Sequence, residues 1–195
     1  RDMKTLATDF YTALHNLHTK SPSDCKTELK KAKSLRVDSG ITNTVFAEWN
    51  WSNGQSLAMN CLINRKELIK GTKITKYSML SCEHIMPQKP SGNAQKSWQL
   101  DKPTTPKDKK QWKIDNDGET YIQTYDRYVS NIGNHIILYT VDNSSLGNKS
   151  FADKKNSLKN SPYAHVKAIS RKQKWTKKEI DERSKALFDK FREII

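Results

Sequence analysis

The chain contains no run of about 18 or more consecutive apolar residues, the length a membrane-crossing helix needs, so no spanning segment is expected. It does not open on a basic, apolar and small-residue leader of the secretory kind. Cysteine is scarce. Cys25, Cys61 and Cys82 are odd in number and widely spaced, which fits a reducing compartment better than a disulfide framework. Cys61 and Cys82 lack a second C-x-x-C half, which argues against a zinc site. Acidic residues are also in short supply: 21 Asp and Glu face 35 Lys and Arg, for a net charge of +14. A pI near 9.6 is the electrostatic footprint expected of a protein that meets a polyanion. A solvated, soluble surface accounts for the same excess without any partner.

Enough remains for a core. Apolar residues make up 34% of the 195, and five Trp, seven Tyr and five Phe can anchor it. The length suits one domain, or one domain with a small appendage. The chain begins at Arg1 rather than Met, which reads as a piece of something longer. No internal repeat is visible.

Met3, Leu6, Phe10, Leu14 and Leu17 recur at helical spacing, so a helix is expected over 2–18. Ser23 or Asp24 can cap a shorter one in CKTELKKAKSL. NTVFAEWNW is ambiguous, and SLAMNCLINRKELI leans helical. Residues 1–70 thus form a mainly helical lead-in expected to pack on the core. KITKYSML, residues 73–80, alternates as a half-buried strand does. Residues 88–120 are rich in Pro, Lys and polar side chains and read as a long loop, closed by the turn signal DNDG at 115–118. YIQTYDRYVSNIGN then leads through a turn into a short strand, Ile136 to Tyr139. Thr140 is expected to cap a short helix holding Asn143, and Ser150 another turn around Phe151. Thr176 to Glu179 spell a capping box for a C-terminal helix over 176–195. Its apolar stripe is Ile180, Leu187, Phe188, Phe191 and Ile195.

The candidate chemistry starts at SCEHIMPQ, residues 81–88. An acid and an imidazole, Glu83 and His84, stand where a strand ends, and Pro87 cannot continue the ladder. A charged group there is costly to bury unless something uses it. Asn134 lies in IGNHIILYT, and Asn143 follows nine positions later, just beyond the second strand. Strand, long loop, strand and short helix make a ββα unit. A carboxylate and an amide oxygen suit a hard divalent cation, and a neutral imidazole suits a general base. The geometry sets one condition. Adjacent residues on a regular strand face opposite sides, so Glu83 and His84 share a site only where the strand twists or ends.

These stretches, EHIMPQ with IGNHIILYTVDNSSLGNKSFADKK, resemble the HNH, or ββα-metal, nuclease superfamily. Within it, the chain is similar to the C-terminal nuclease domain of GmrSD-type, modification-dependent restriction enzymes, and to related phage-defence nucleases including phosphorothioate-sensing ones. Trp98, Phe151, Lys154, Trp175, Thr176, Ile180 and Arg183 continue the pattern, which covers roughly 76–195. The superfamily's last histidine is replaced here by Asn143, which still offers an oxygen. The resemblance implies an α+β fold, a ββα-metal core surrounded by helices over 71–195. It implies His84 as general base, Glu83 and Asn143 as metal ligands, and Asn134 as a brace that orients His84. It further implies metal-dependent cleavage of double-stranded DNA, with Mg²⁺ or Mn²⁺, in bacterial defence and in the cytoplasm. Related nucleases carry an N-terminal NTPase or modification-sensing domain, which this chain lacks, and cutting both strands calls for two sites, hence a homodimer.

The remaining residues receive more local expectations. Residues 149–195 hold fourteen Lys and Arg against six Asp and Glu. Asn148, Lys149, Lys154, Arg171, Lys172 and Lys174 are the candidate DNA contacts, with Lys154 equally readable as solvated. Trp175 is expected in the core. His135 opens the second strand and is assigned a surface role. Arg183 is expected on the polar side of the last helix, paired with a carboxylate. Two other functions remain open: an inert DNA-binding module, and a basic protein-interaction domain. Steep salt dependence of DNA binding would argue against the second.

Overall fold

The computed structural model describes residues 21, 23, 24, 27, 39–64, 80–90 and 102–193. The helix expected over 2–18, most of the segment after Ser23, the strand expected over 73–79, Trp98 and Ile195 lie outside them. The chain divides into two compact units, Arg1–Thr42 and Asn43–Ile195. The second unit carries the sheet and the candidate site.

Two short strands form its centre. Strand β1, Leu80–His84, pairs antiparallel with β2, His135–Tyr139. The register sets Glu83 opposite Ile136 and His84 opposite His135. Eight α-helices accompany this sheet among the described residues, so the fold is α+β. Helices α1 (Ser39–Glu48) and α2 (Asn53–Ile63) precede β1. Between the strands come α3 (Pro106–Asp115) and α4 (Tyr121–Val129), with a 3₁₀ turn at Ile132–Asn134 leading into β2. After β2 come α5 (Thr140–Leu146), α6 (Phe151–Leu158), α7 (Ala164–Ser170) and α8 (Lys177–Arg192).

Capping fixes many of these boundaries. Thr176 and Glu179 close the expected capping box of α8. Ser52 with Gln55, Thr105 with Asp108 and Thr120 with Gln123 do the same for α2, α3 and α4. Ser150 accepts from the Asp153 N–H and starts α6 as expected. At α5 the expectation fails. Tyr139 is the N-cap residue, it makes no side-chain cap bond, and Thr140 is already helical.

The long loop read over 88–120 is corrected: residues 106–115 are helix α3. Pro106 sits at its first turn, where a missing N–H costs nothing. No residue of α3 is buried, so it carries no apolar periodicity to read. The DNDG turn does close it, with Asp117 and Gly118 both left-handed at φ 52° and 84°.

Helices α2 and α5 both pack on the two strands, so β2 is covered rather than half-exposed. Ile136, Ile137 and Leu138 are buried there with Leu80, Ile85, Leu146, Val166 and Trp175. A second cluster joins α1 to α8: Phe46 meets Trp51, Phe188 and Phe191 at ring-centroid distances of 5.5–5.7 Å. Each such ring is worth about 1.5–3 kcal/mol of burial.

Helix α8 also grips the turn before β2. A Cβ on Gly133 would lie 2.1 Å from the Ile180 carbonyl oxygen, so only glycine allows this approach. Arg183 is not paired with a carboxylate as expected. Its guanidinium donates to the carbonyls of Ile132, Gly133 and His135 at 2.7–3.0 Å. All three bonds come from Nη1, while Nη2 donates to Asn60 Oδ1 at 3.3 Å, so the planar fork of arginine ties this turn to α2.

Candidate active site

The pleat of β1 sends its side chains to two sides. On one, the Asn143 amide nitrogen of α5 donates to Ser81 Oγ at 2.9 Å and to the Cys82 carbonyl at 3.1 Å. Glu83 lies two residues beyond Ser81, on that same face. Both bonds use the nitrogen, and among the described residues no hydrogen bond reaches the amide oxygen of Asn143, which can serve as a donor to a cation. On the other side, the His84 ring meets His135, directly across the ladder, edge to face at 4.3 Å.

Lys154 of α6 reaches the Glu83 side chain and the main chain of His84. Its ammonium donates to Glu83 Oε1 at 2.5 Å and to the His84 carbonyl at 2.6 Å. The lysine is 1% exposed. It is therefore not the exposed phosphate contact or solvated side chain that its sequence suggested. A buried ion pair of this kind is weak evidence of stability, and its position at a strand end fits a functional use better. Burial pushes the Glu83 carboxyl up and the Lys154 ammonium down, and each partner's charge opposes the other's shift. His84 is pushed down to about 4, first by burial and then by the Lys154 charge. Its imidazole is neutral at pH 7. Gln88 Nε2 stands 3.5 Å from His84 Nε2.

Asn134 is a brace. It is fully buried, and its amide nitrogen donates to the Met86 and Val129 carbonyls. Its oxygen accepts from the Met86 N–H and from Trp175 Nε1. Its own carbonyl accepts from the Ile85 N–H. Both Met86 bonds tie the segment just after His84 to the turn before β2; none of the four side-chain bonds goes to the imidazole. Trp175 is core, as expected, and its indole N–H is what it contributes here.

His135 is the residue that the sequence misplaced. It is fully buried, not on the surface. Nε2 faces the Val129 carbonyl at 2.9 Å, so that nitrogen carries the proton, and Nδ1 accepts from Ser56 Oγ at 2.5 Å. Burial drives its pKa down to about 3, with the His84 charge adding to the shift and the Val129 bond opposing it. No sequence signal marks Ser56 as its partner, since the two lie far apart in the chain. Asn148, Lys149, Arg171, Lys172 and Lys174 are all exposed. Lys172 pairs with Glu182 at 3.1 Å across the surface.

The arrangement thus has two antiparallel strands, a short helix after the second, and an acid and a neutral imidazole at the end of the first. The family of GmrSD restriction endonucleases, C-terminal domain, matches residues 43–190, and the chain belongs to it. No curated protein matches the chain. The family match spans every residue of this site, from Ser56 to Trp175.

Proposed function

We propose that the domain hydrolyses phosphodiester bonds of double-stranded DNA, with His84 as general base and a divalent cation held by Glu83 and Asn143. One observation carries this reading: the buried Lys154 ammonium bonds both the Glu83 carboxylate and the His84 main-chain carbonyl at the end of β1, a strand to which Asn143 is bonded. The donor set supports a hard cation. A carboxylate and an amide oxygen suit Mg²⁺ or Mn²⁺, which keep several waters. Among the described residues no three His, Cys, Asp or Glu side chains converge, which does not fit a closed zinc cage. When bound, the cation would supply charge stabilisation at the scissile phosphate and leaving oxygen.

The chain's own groups do the rest. Neutral His84 accepts a proton from the attacking water. Negative charge on bound phosphate opposes the depression of its pKa and raises it towards the range where a base works best. Lys154 holds the Glu83 carboxylate in place and adds a positive charge beside the reacting group. Asn134 fixes the backbone of residues 85 and 86, and so the direction in which His84 projects. Asn148, Lys149, Arg171, Lys172 and Lys174 meet neighbouring phosphates. Family membership supports a setting in restriction, and we place an NTPase or modification-sensing domain beside it as the expected partner.

Supercoiled plasmid is the test. With Mg²⁺ or Mn²⁺ the chain should nick or linearise it, and EDTA should stop this. His84→Ala, folded by circular dichroism, should lose about 10²–10⁴ in rate. Retention of full activity in that variant would overturn the assignment of the base. Metal-independent binding with no cleavage would favour the inert module instead.

A further inference from the structure

We propose that the cleft between α3 and α4 binds an unstacked nucleobase together with its flanking phosphates. The cleft has a volume of about 460 Å³, and Lys102, Lys109, Lys113, Trp112, Tyr121 and Ile122 line it. Among the described residues no carboxylate does. Trp112 and Tyr121 stand edge to face, with centroids 5.3 Å apart. The Trp112 indole N–H donates to Thr124 Oγ1, which fixes the ring in the cleft wall. The Lys102 ammonium lies 5.9 Å from the Tyr121 centroid, and that of Lys177 lies 4.6 Å from Trp112. Ile122 is 69% exposed beside them. Aromatic faces set among lysines, with no acid in the lining, match the two halves of a nucleotide: a π-face to stack and a phosphate to neutralise.

The cleft is connected to the site. Tyr121 lies 6.1 Å from Tyr125 along α4, and the Tyr125 hydroxyl donates to the Pro87 carbonyl at 2.7 Å. Pro87 follows the Glu83–His84 strand end by three residues. Tyr121, Tyr125 and Pro87 thus tie the cleft wall to the segment that follows His84. The nucleic-acid occupant rests on the DNA reading above.

The test is fluorescence anisotropy with the full chain in EDTA. Three labelled probes are compared: a paired duplex, the same duplex with one unpaired thymine, and oligothymidine. The unpaired-base probes should bind about tenfold more tightly than the paired duplex. Trp112→Leu and Ile122→Glu should each erase that preference; Trp112→Leu should leave paired-duplex affinity within about twofold, whereas the carboxylate added by Ile122→Glu should weaken all three probes by a common factor. Because Ile122 is exposed, Ile122→Glu keeps the question answerable if Trp112→Leu does not fold. Lys109→Gln with Lys113→Gln should weaken all three probes and flatten the salt slope by about two. A preference for oligothymidine alone would assign the cleft to free single strands, and a preference for both unpaired probes to bases extruded from a duplex. Equal affinity for all probes, no binding, or a preference that survives Ile122→Glu would overturn the proposal. No bond is cut in this assay, so its failure leaves the nuclease reading to the plasmid experiment, and an uncut plasmid leaves the base preference standing.

Discussion

His135 makes the stability of the domain depend on mild acid in a calculable way. In the folded chain its pKa is about 3, against an ordinary value of 6.5. Between those two values the unfolded chain binds a proton that the folded chain refuses. Stability therefore falls as the pH drops through 6.5, and the loss levels off near 3. At pH 5 the imidazole is about 1.5 pH units below its unfolded value, which costs about 2 kcal/mol relative to neutral pH. The measurement is urea unfolding at pH 7.5 and at pH 5.0, on the wild type and on His135→Leu. Leucine fills the same buried place but does not titrate. Carboxylates and the histidines away from this pair contribute to both proteins and cancel in the comparison, and His84, lowered to about 4, stays largely neutral in the fold at both pH values. The wild type should lose about 2 kcal/mol more than the variant between the two conditions. Equal losses would mean that His135 is not held neutral in the fold, and the tautomer assigned from Val129 and Ser56 would fall with it.

Three further outcomes are expected. Gly133→Ala forces a methyl group against the Ile180 carbonyl and should cost about 3 kcal/mol or more in urea unfolding. Arg183→Lys removes a guanidinium whose Nη1 meets three carbonyls while its Nη2 reaches Asn60 Oδ1; a loss of about 2–4 kcal/mol is expected, and a change under about 0.5 kcal/mol would show that an ammonium with water replaces both nitrogens. Lys154→Met leaves Glu83 buried without its counter-ion and should destabilise the fold by about 3–5 kcal/mol; adding Glu83→Gln should recover much of that loss, and an additive double variant would refute the coupling.

The legible parts of the sequence are those with local signals. Thr176 and Glu179 announce α8 because a capping box is written within four residues, and its apolar stripe follows at the helical period. Asn134 and Asn143 stand out by their place beside a short apolar strand. Helix α3 is hidden from periodicity because none of its residues is buried, although Thr105, Pro106 and Asp108 carry its start signal. His135 misleads for a different reason. Polarity marks a surface only when one face of a strand is open to water, and this sheet is covered by α2 and by α5. Lys154 and Arg183 look like solvent-facing or carboxylate-seeking cations. Their true partners are Glu83 and three backbone carbonyls, which only the tertiary fold brings within reach.

The grip of the last helix on the turn before β2 has a consequence for the life of the chain in the cell. Trp175 and Arg183 supply the bonds that hold Asn134 and the carbonyls around it, yet they are synthesised long after Glu83 and His84. A ribosome that has made both strands still displays an unbraced turn, with Asn134 lacking its indole partner and the carbonyls lacking their guanidinium. The bonds around Asn134 are completed only when the segment from Trp175 to Arg183 has left the exit tunnel and docked. A chain cut before Trp175 would lack both the indole bond to Asn134 and the guanidinium at the carbonyls beside it.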